Sequence, residues 1–230
     1  MPQKTKLFSF IYFIVFLTQL YAEYTDVQTL RVVSKPLIIV VLVAWIYFST
    51  KLSTPFHKSI FIGLIFAWIG DVLLVMQERN SSFFIFGLIA FLLCHVFYIR
   101  AFTLDFKSKP AQKNPFLIWA IIVFTAFCAA LFIYLRPHLG AMEIPVLIYA
   151  IIISIMAIMS VSRFGRVSLF SFEIVFYGAV LFLFSDSMLA YNKFVQPLPN
   201  AGLIIMASYM LAQYLIVLGS IERGVIAWQQ

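Results

Sequence analysis

Eight apolar runs divide this chain, at residues 7–22, 36–50, 59–76, 83–102, 115–135, 141–161, 170–191 and 201–220. A helix needs about 20 apolar residues to cross the hydrocarbon of a bilayer, and a bilayer tolerates no unpaired backbone polar groups. Runs of this length therefore specify spanning helices. The second, "PLIIVVLVAWIYFST", is short and must borrow flanking residues. Composition agrees. Of 230 residues, 63% are hydrophobic and 11% charged, too few polar groups to cover the surface of a soluble domain of this size. The chain reads as an all-α polytopic membrane protein with about eight transmembrane helices, a single membrane-embedded domain over 1–230.

The formal net charge of +7 does not point to nucleic acid, because the basic residues are scattered over short loops, where membrane orientation explains them. With eight spans, the side of the N-terminus holds Lys4, Lys6, Lys51, Lys58, Arg100, Lys107, Lys109, Lys113, Arg163, Arg166 and Arg223. The opposite side holds Arg31, Lys35, Arg79, Arg136 and Lys193. The excess puts both termini in the cytoplasm, with a bacterial inner membrane favoured over the endoplasmic reticulum. Cys94 and Cys128 both lie inside apolar runs and read as packed thiols, with no disulfide framework.

The first run has a second reading as a signal peptide, with Lys4 and Lys6, an apolar core and "LYA" before Glu23. A weak internal repeat favours a retained helix. Asp71 and Asp186 stand 115 residues apart, half the chain length. At the same offset Phe61 meets Phe176, Gly63 meets Gly178, and "GLI" at 87–89 meets "GLI" at 202–204. A 4+4 parallel repeat would divide the chain into halves 1–115 and 116–230.

Those two aspartates are the least expected residues in the sequence. "AWIGDVLLV" and "VLFLFSDSMLA" each put a carboxyl group inside a run that reads as buried in lipid, at a cost of about 2.5–3.5 kcal/mol at the bilayer centre on insertion scales. Such residues face interior cavities and carry function. Each lies five residues before the end of its run, roughly 7 Å below the membrane boundary on the side opposite the termini. Two carboxylates at one depth suggest one shared site. Lys35 enters from the same side in "SKPL", where Pro36 suits a first helical turn. His95 and Tyr98, three apart in the fourth run, and Tyr209 and Gln213, four apart in the eighth, put polar groups near the same faces. Glu143 and Glu173 lie near run ends, where water can reach them. The bland readings are helix packing for the aspartates, snorkelling for Lys35 and interhelical hydrogen bonding for the rest.

Other chemistries fit less well. The runs hold a single histidine, short of the three protein ligands of a catalytic zinc site. No nucleophile elbow and no glycine-rich phosphate loop occurs. A transporter using the aspartates as a proton relay is the alternative from another class, although transporters typically show inverted repeats with sites at the midplane.

The segments "SKPL", "IGDVLL", "FGLIAFLLCHVFYI", "YGAVLFLFSDSMLAYNKF" and "MASYMLAQYLI", spread over residues 34–219, resemble the YhhN-like lysoplasmalogenase family of integral membrane proteins. That resemblance implies about eight helices and cleavage of the vinyl ether bond of a lysophospholipid substrate within the bilayer. The products would be a fatty aldehyde and a glycerophospho-ethanolamine or -choline. The residues suit that chemistry independently. Vinyl ether hydrolysis needs a neutral carboxylic acid to protonate carbon and a carboxylate to stabilise the oxocarbenium ion and activate water, much as glycosidases divide work between two carboxyl groups. Asp71 and Asp186 are the expected acid–base pair, with Lys35, His95, Tyr98, Tyr209 and Gln213 expected to bind substrate or tune the carboxyls. Neither a metal nor an organic cofactor is expected.

Overall fold

A computed structural model of the chain describes residues 3–77, 80, 82–108 and 114–225. These form eight helices, each long and apolar enough to cross a membrane: α1 Gln3–Thr25, α2 Gln28–Thr50, α3 Pro55–Met76, α4 Ser82–Lys107, α5 Pro115–Leu135, α6 Glu143–Val161, α7 Leu169–Phe194 and α8 Ala201–Ile221. Among the described residues there is no sheet, only an isolated bridge between Val167 and Val225. Up-and-down connectivity puts the α1–α2, α3–α4, α5–α6 and α7–α8 connections at one end, here the distal end. The termini and the remaining connections lie at the other, the terminal end. Arg79, Lys109 and Lys113, counted above for orientation, lie outside the described residues.

Local sequence sets several helix starts. Thr54 and Asn114 each precede a proline at the first helical position, and their side chains accept from the backbone N–H groups of His57 and Phe116. Ser168 caps α7 by accepting from the Ser171 N–H. Such caps satisfy donors that the helix itself leaves unpaired.

Two boundaries correct the sequence reading. Helix α2 begins at Gln28, so Pro36 lies inside it, two turns from its start, and Lys35 does not open a helix. The polar residues of 28–35 broke the apolar run without breaking the helix, because Arg31 reaches Glu23 and Asp26 instead of lipid. Helix α7 runs to Phe194, which leaves Asp186 eight residues from its distal end while Asp71 stands five from that of α3.

The two most intimate pairs are α3 with α4 and α7 with α8. Glycines permit this. A Cβ on Gly63 would stand 2.5 Å from the Tyr98 ring, and one on Gly178 would stand 2.9 Å from the Ala212 carbonyl oxygen. Without those methyl groups the helices close to backbone contact. Tyr98 and Gln213, themselves 115 residues apart, meet across the bundle, the phenol donating to Oε1 at 2.6 Å. Helix α1 packs into the same core, with Tyr12 donating to the Met210 carbonyl at 2.7 Å and Ser9 hydrogen-bonded to Tyr214 at 2.8 Å. Helix α5 is mostly exposed.

At the terminal end the chain buries a charged network. Asp105, with no exposed surface, accepts from Arg163 Nε at 2.7 Å through one oxygen and from Arg223 Nε at 2.6 Å through the other. Arg163 also donates to Ser171 Oγ at 2.9 Å, and Ser171 donates to the Gly219 carbonyl. Phe56 lies under both guanidinium groups. Arg163 and Arg166 are therefore buried fasteners and not the headgroup-facing loop charges that orientation counting assumes.

Candidate active site

Asp71 is buried among α3, α4 and α8, with 1% of its surface exposed. Its Oδ2 accepts from the Tyr209 hydroxyl at 2.8 Å. The Tyr209 ring is fixed edge-on by Phe91 of α4 and Phe182 of α7, with centroids at 5.7 and 5.4 Å. Gln213, one turn along α8, holds Tyr98 as described. Its amide nitrogen has no hydrogen-bond partner among the described residues.

Asp186 on α7 keeps 13% of its side chain exposed. Its Oδ2 accepts from the Tyr149 hydroxyl of α6 at 2.5 Å, and His95 Nε2 of α4 lies 3.1 Å from that carboxylate oxygen and 3.0 Å from the phenol oxygen. The phenol has one hydrogen, which it gives to Asp186. His95 must then donate from Nε2 to satisfy both contacts, and the buried Nδ1 is left without a partner. A cavity of about 30 Å³, the space of one water molecule, opens beside this cluster between α4, α6 and α7. Asp186, Tyr149, Leu88 and Leu189 help to line it.

The two carboxylates thus stand in separate hydrogen-bonded clusters that share one wall. Phe182 packs its ring edge-to-face against His95, with centroids 4.6 Å apart, and against Tyr209, with centroids 5.4 Å apart. The sequence brought out six members of these clusters: Asp71, Asp186, His95, Tyr98, Tyr209 and Gln213. It missed Tyr149, whose only signal was a lone phenol in the apolar run of α6.

Lys35 belongs to a different compartment. It is half-buried on α2 and lines a cleft of about 300 Å³ at the distal end, with Glu23, Arg31, Leu74, Leu189, Asn192 and Met206 among its neighbours. It is within electrostatic reach of Asp71 but forms no ion pair with it. Leu74 and Met206 separate the cleft from Asp71 and Tyr209, each one helical turn away on its helix. Leu189 lines both the cleft and the small cavity beside Asp186. Among the described residues, no three His, Cys, Asp or Glu side chains gather as metal ligands.

Fold and site together define a polytopic helical membrane protein with a pair of inward-facing carboxylates, each held by tyrosine. More narrowly, the chain belongs to the YhhN family, which matches residues 30–220. It is 31% identical to the Bos taurus protein named lysoplasmalogenase TMEM86A over 175 residues, covering 74% of this chain and 68% of that one. It is 33% identical to Mus musculus lysoplasmalogenase TMEM86B, covering 70% and 62%. A Mycobacterium bovis lysoplasmalogenase is 30% identical, covering 68% and 58%. No solved structure matches the chain.

Proposed function

We propose that the protein is a lysoplasmalogenase, hydrolysing the vinyl ether bond of a single-chain alkenyl glycerophospholipid to a fatty aldehyde and a glycerophospho-ethanolamine or -choline. The observation that carries this reading is the pair of aspartates inside the helix bundle whose hydrogen-bond partners, Tyr209 and His95, both pack against Phe182, in a chain whose relatives across animals and mycobacteria bear that name.

The reaction adds a proton to the outer vinyl carbon, which leaves an oxocarbenium ion at the carbon bearing oxygen. Water adds there and loses a proton, and the hemiacetal collapses to aldehyde and alcohol. Asp186 takes the carboxylate role in this reading. One of its oxygens accepts two hydrogen bonds, from Tyr149 and His95, and the cavity beside it has room for one water. Asp71, with a single hydrogen bond from Tyr209, is the proton donor. Tyr209 then stabilises the carboxylate left behind. Tyr98 and Gln213 position α4 and α8 around the pair. Removal of a positioned acid or base typically costs 10²–10⁴-fold in rate.

The same aspartates used as a transport relay would need an opening at the terminal end. The Asp105–Arg163–Arg223 network fills that end, which favours hydrolysis. The excess of basic residues at the terminal end supports cytoplasmic termini, so in a bacterial inner membrane the cleft would open toward the periplasmic leaflet. The deciding experiment is aldehyde release from a lysoplasmalogen by detergent-purified protein, with the saturated ether analogue inert. Release from neither, or hydrolysis of both, would overturn the assignment.

A further inference from the structure

We propose that the groove between α5 and α7 at the terminal end binds the ammonium headgroup of a zwitterionic diacyl phospholipid through Glu173, with a hydrocarbon chain lying along the aromatic side chains beyond it. This is a second lipid site, apart from the one assigned to chemistry. Glu173 stands thirteen residues before Asp186 on α7, roughly 20 Å along the helix.

Depth is the first reason. The groove holds about 380 Å³ between α5, the end of α6 and α7, within the roughly 300–1,000 Å³ of small-molecule sites. Phe116 and Trp119 lie in the first five residues of α5, and Glu173 is the fifth of α7. That sets them within roughly 7 Å of the terminal end, at headgroup level. Phe124, Phe176 and Tyr177 line the groove about one turn deeper, without a charge among them. A polar mouth that passes into an apolar wall follows the shape of a lipid.

Charge is the second reason. Glu173 is exposed, is the one charged residue lining the groove, and has no ion pair or hydrogen bond among the described residues. The cations of the preceding loop are turned elsewhere. Arg163 donates to Asp105 and Ser171, and Arg166 to the carbonyl oxygens of Phe106 and Ser162. Burial alone moves the Arg166 guanidinium down from its ordinary value, with no carboxylate in electrostatic reach of it. The apolar walls strengthen the pull of the carboxylate on a cation that enters the groove.

The rings are the third reason, and they select an ammonium group. Six of the lining residues are aromatic. Aliphatic side chains would cover such a groove equally well, whereas aromatic faces also attract a cation, tryptophan best of all. The rings hold one another in place. Phe116 and Phe172 both meet Phe164 edge-on, with centroids at 5.0 and 5.2 Å, and Phe172 stacks with Phe176 at 6.2 Å. A site ordered beforehand loses less freedom when its ligand arrives.

The test is lipid binding to the purified full chain in neutral detergent, with phosphatidylcholine, phosphatidylethanolamine and phosphatidylglycerol as probes. The wild type should bind the two ammonium lipids about tenfold more tightly than phosphatidylglycerol, which brings a negative charge and no amine. Glu173→Gln should raise Kd for the ammonium lipids about fivefold, and Glu173→Lys should reverse the order of the three. Trp119→Leu should weaken the ammonium lipids about threefold and leave phosphatidylglycerol unchanged. Equal Kd values in the wild type, or a preference that survives Glu173→Lys, would overturn the proposal. Displacement by chain-free phosphocholine at equal concentration would make this a site for a soluble ammonium compound and overturn the lipid assignment. A dimer that Trp119→Leu separates into monomers would make the groove an interface between copies, with the same consequence. Because binding is read directly, the outcome does not depend on whether a vinyl ether is hydrolysed.

Discussion

Asp71 is sealed from solvent and held by one phenol of α8, beneath a polar cleft. Asp186 is partly exposed, held by a phenol of α6 and an imidazole of α4, at the edge of an apolar cavity. The two positions are 115 residues apart on helices that pack alike against their successors, and their partners cross over, with α3 served by α8 and α7 by α4. Even the donors nearly correspond, since Tyr209 stands 115 residues after Cys94, the neighbour of His95. One carboxyl thus has a single hydrogen bond and the other has two. Acid–base catalysis by like groups needs such an inequality, because identical surroundings would give both carboxyls the same protonation state.

The largest test of this asymmetry is Asp71→Asn against Asp186→Asn. Each should lower aldehyde release by about 10²–10⁴-fold with near-normal yield of folded protein. A variant that keeps wild-type turnover would reduce that aspartate to a packing residue. Next in size are the two tyrosines. Tyr149→Phe removes a 2.5 Å hydrogen bond to a carboxylate and should lower kcat roughly 10- to 100-fold. Tyr209→Phe, facing the proton donor, should cost less, about fivefold to tenfold. Reversal of that order in steady-state kinetics would exchange the roles of the two aspartates.

The close helix pairs can be compared in stability. A Cβ on Gly178 meets the Ala212 carbonyl and the Ile216 nitrogen, which are backbone, while one on Gly63 first meets the Tyr98 ring. Gly178→Ala should therefore be the more destabilising, by about 1–3 kcal/mol in thermal or denaturant unfolding. Equal effects would mean that Tyr98 is as rigid as backbone. The smallest effect expected is that of Tyr98→Phe, which removes one neutral hydrogen bond to Gln213 for about 1 kcal/mol. Unfolding midpoint should fall slightly while turnover persists.

Legibility in the sequence followed polarity against an apolar background. Asp71, Asp186, His95 and Gln213 stood out because hydrocarbon makes each costly, and the runs themselves gave the eight helices. Tyr149 did not stand out, since a phenol is common in apolar helices and its role depends on α6 meeting α7 across the fold. Arg163 was misread for a related reason. Its partner Asp105 lies beyond the apolar run that ends at 102, and nothing local joins residues 58 apart. Lys35 was misassigned to a helix start because Pro36 was read by its preference for the first turn, whereas α2 carries it internally. Without an N–H at Pro36, the Val32 carbonyl loses its helical partner beside the cleft.

The network of Asp105, Arg163 and Arg223 also sets where the bundle can breathe. It ties the ends of α4 and α8 to the loop before α7 through hydrogen bonds shielded from water, and such regions open last. The distal end is joined instead by short connections and by a half-exposed Arg31 cluster. Motion of the helices therefore has its pivot at the terminal end, and displacement grows along some 30 Å of lever toward the cleft. Amides near Arg163, Ser171 and Gly219 should exchange their hydrogens slowest of all, and those near Gln28 and Gly202 fastest among the helical ones. The protein would then admit and release lipid by spreading at one end while the other stays clamped.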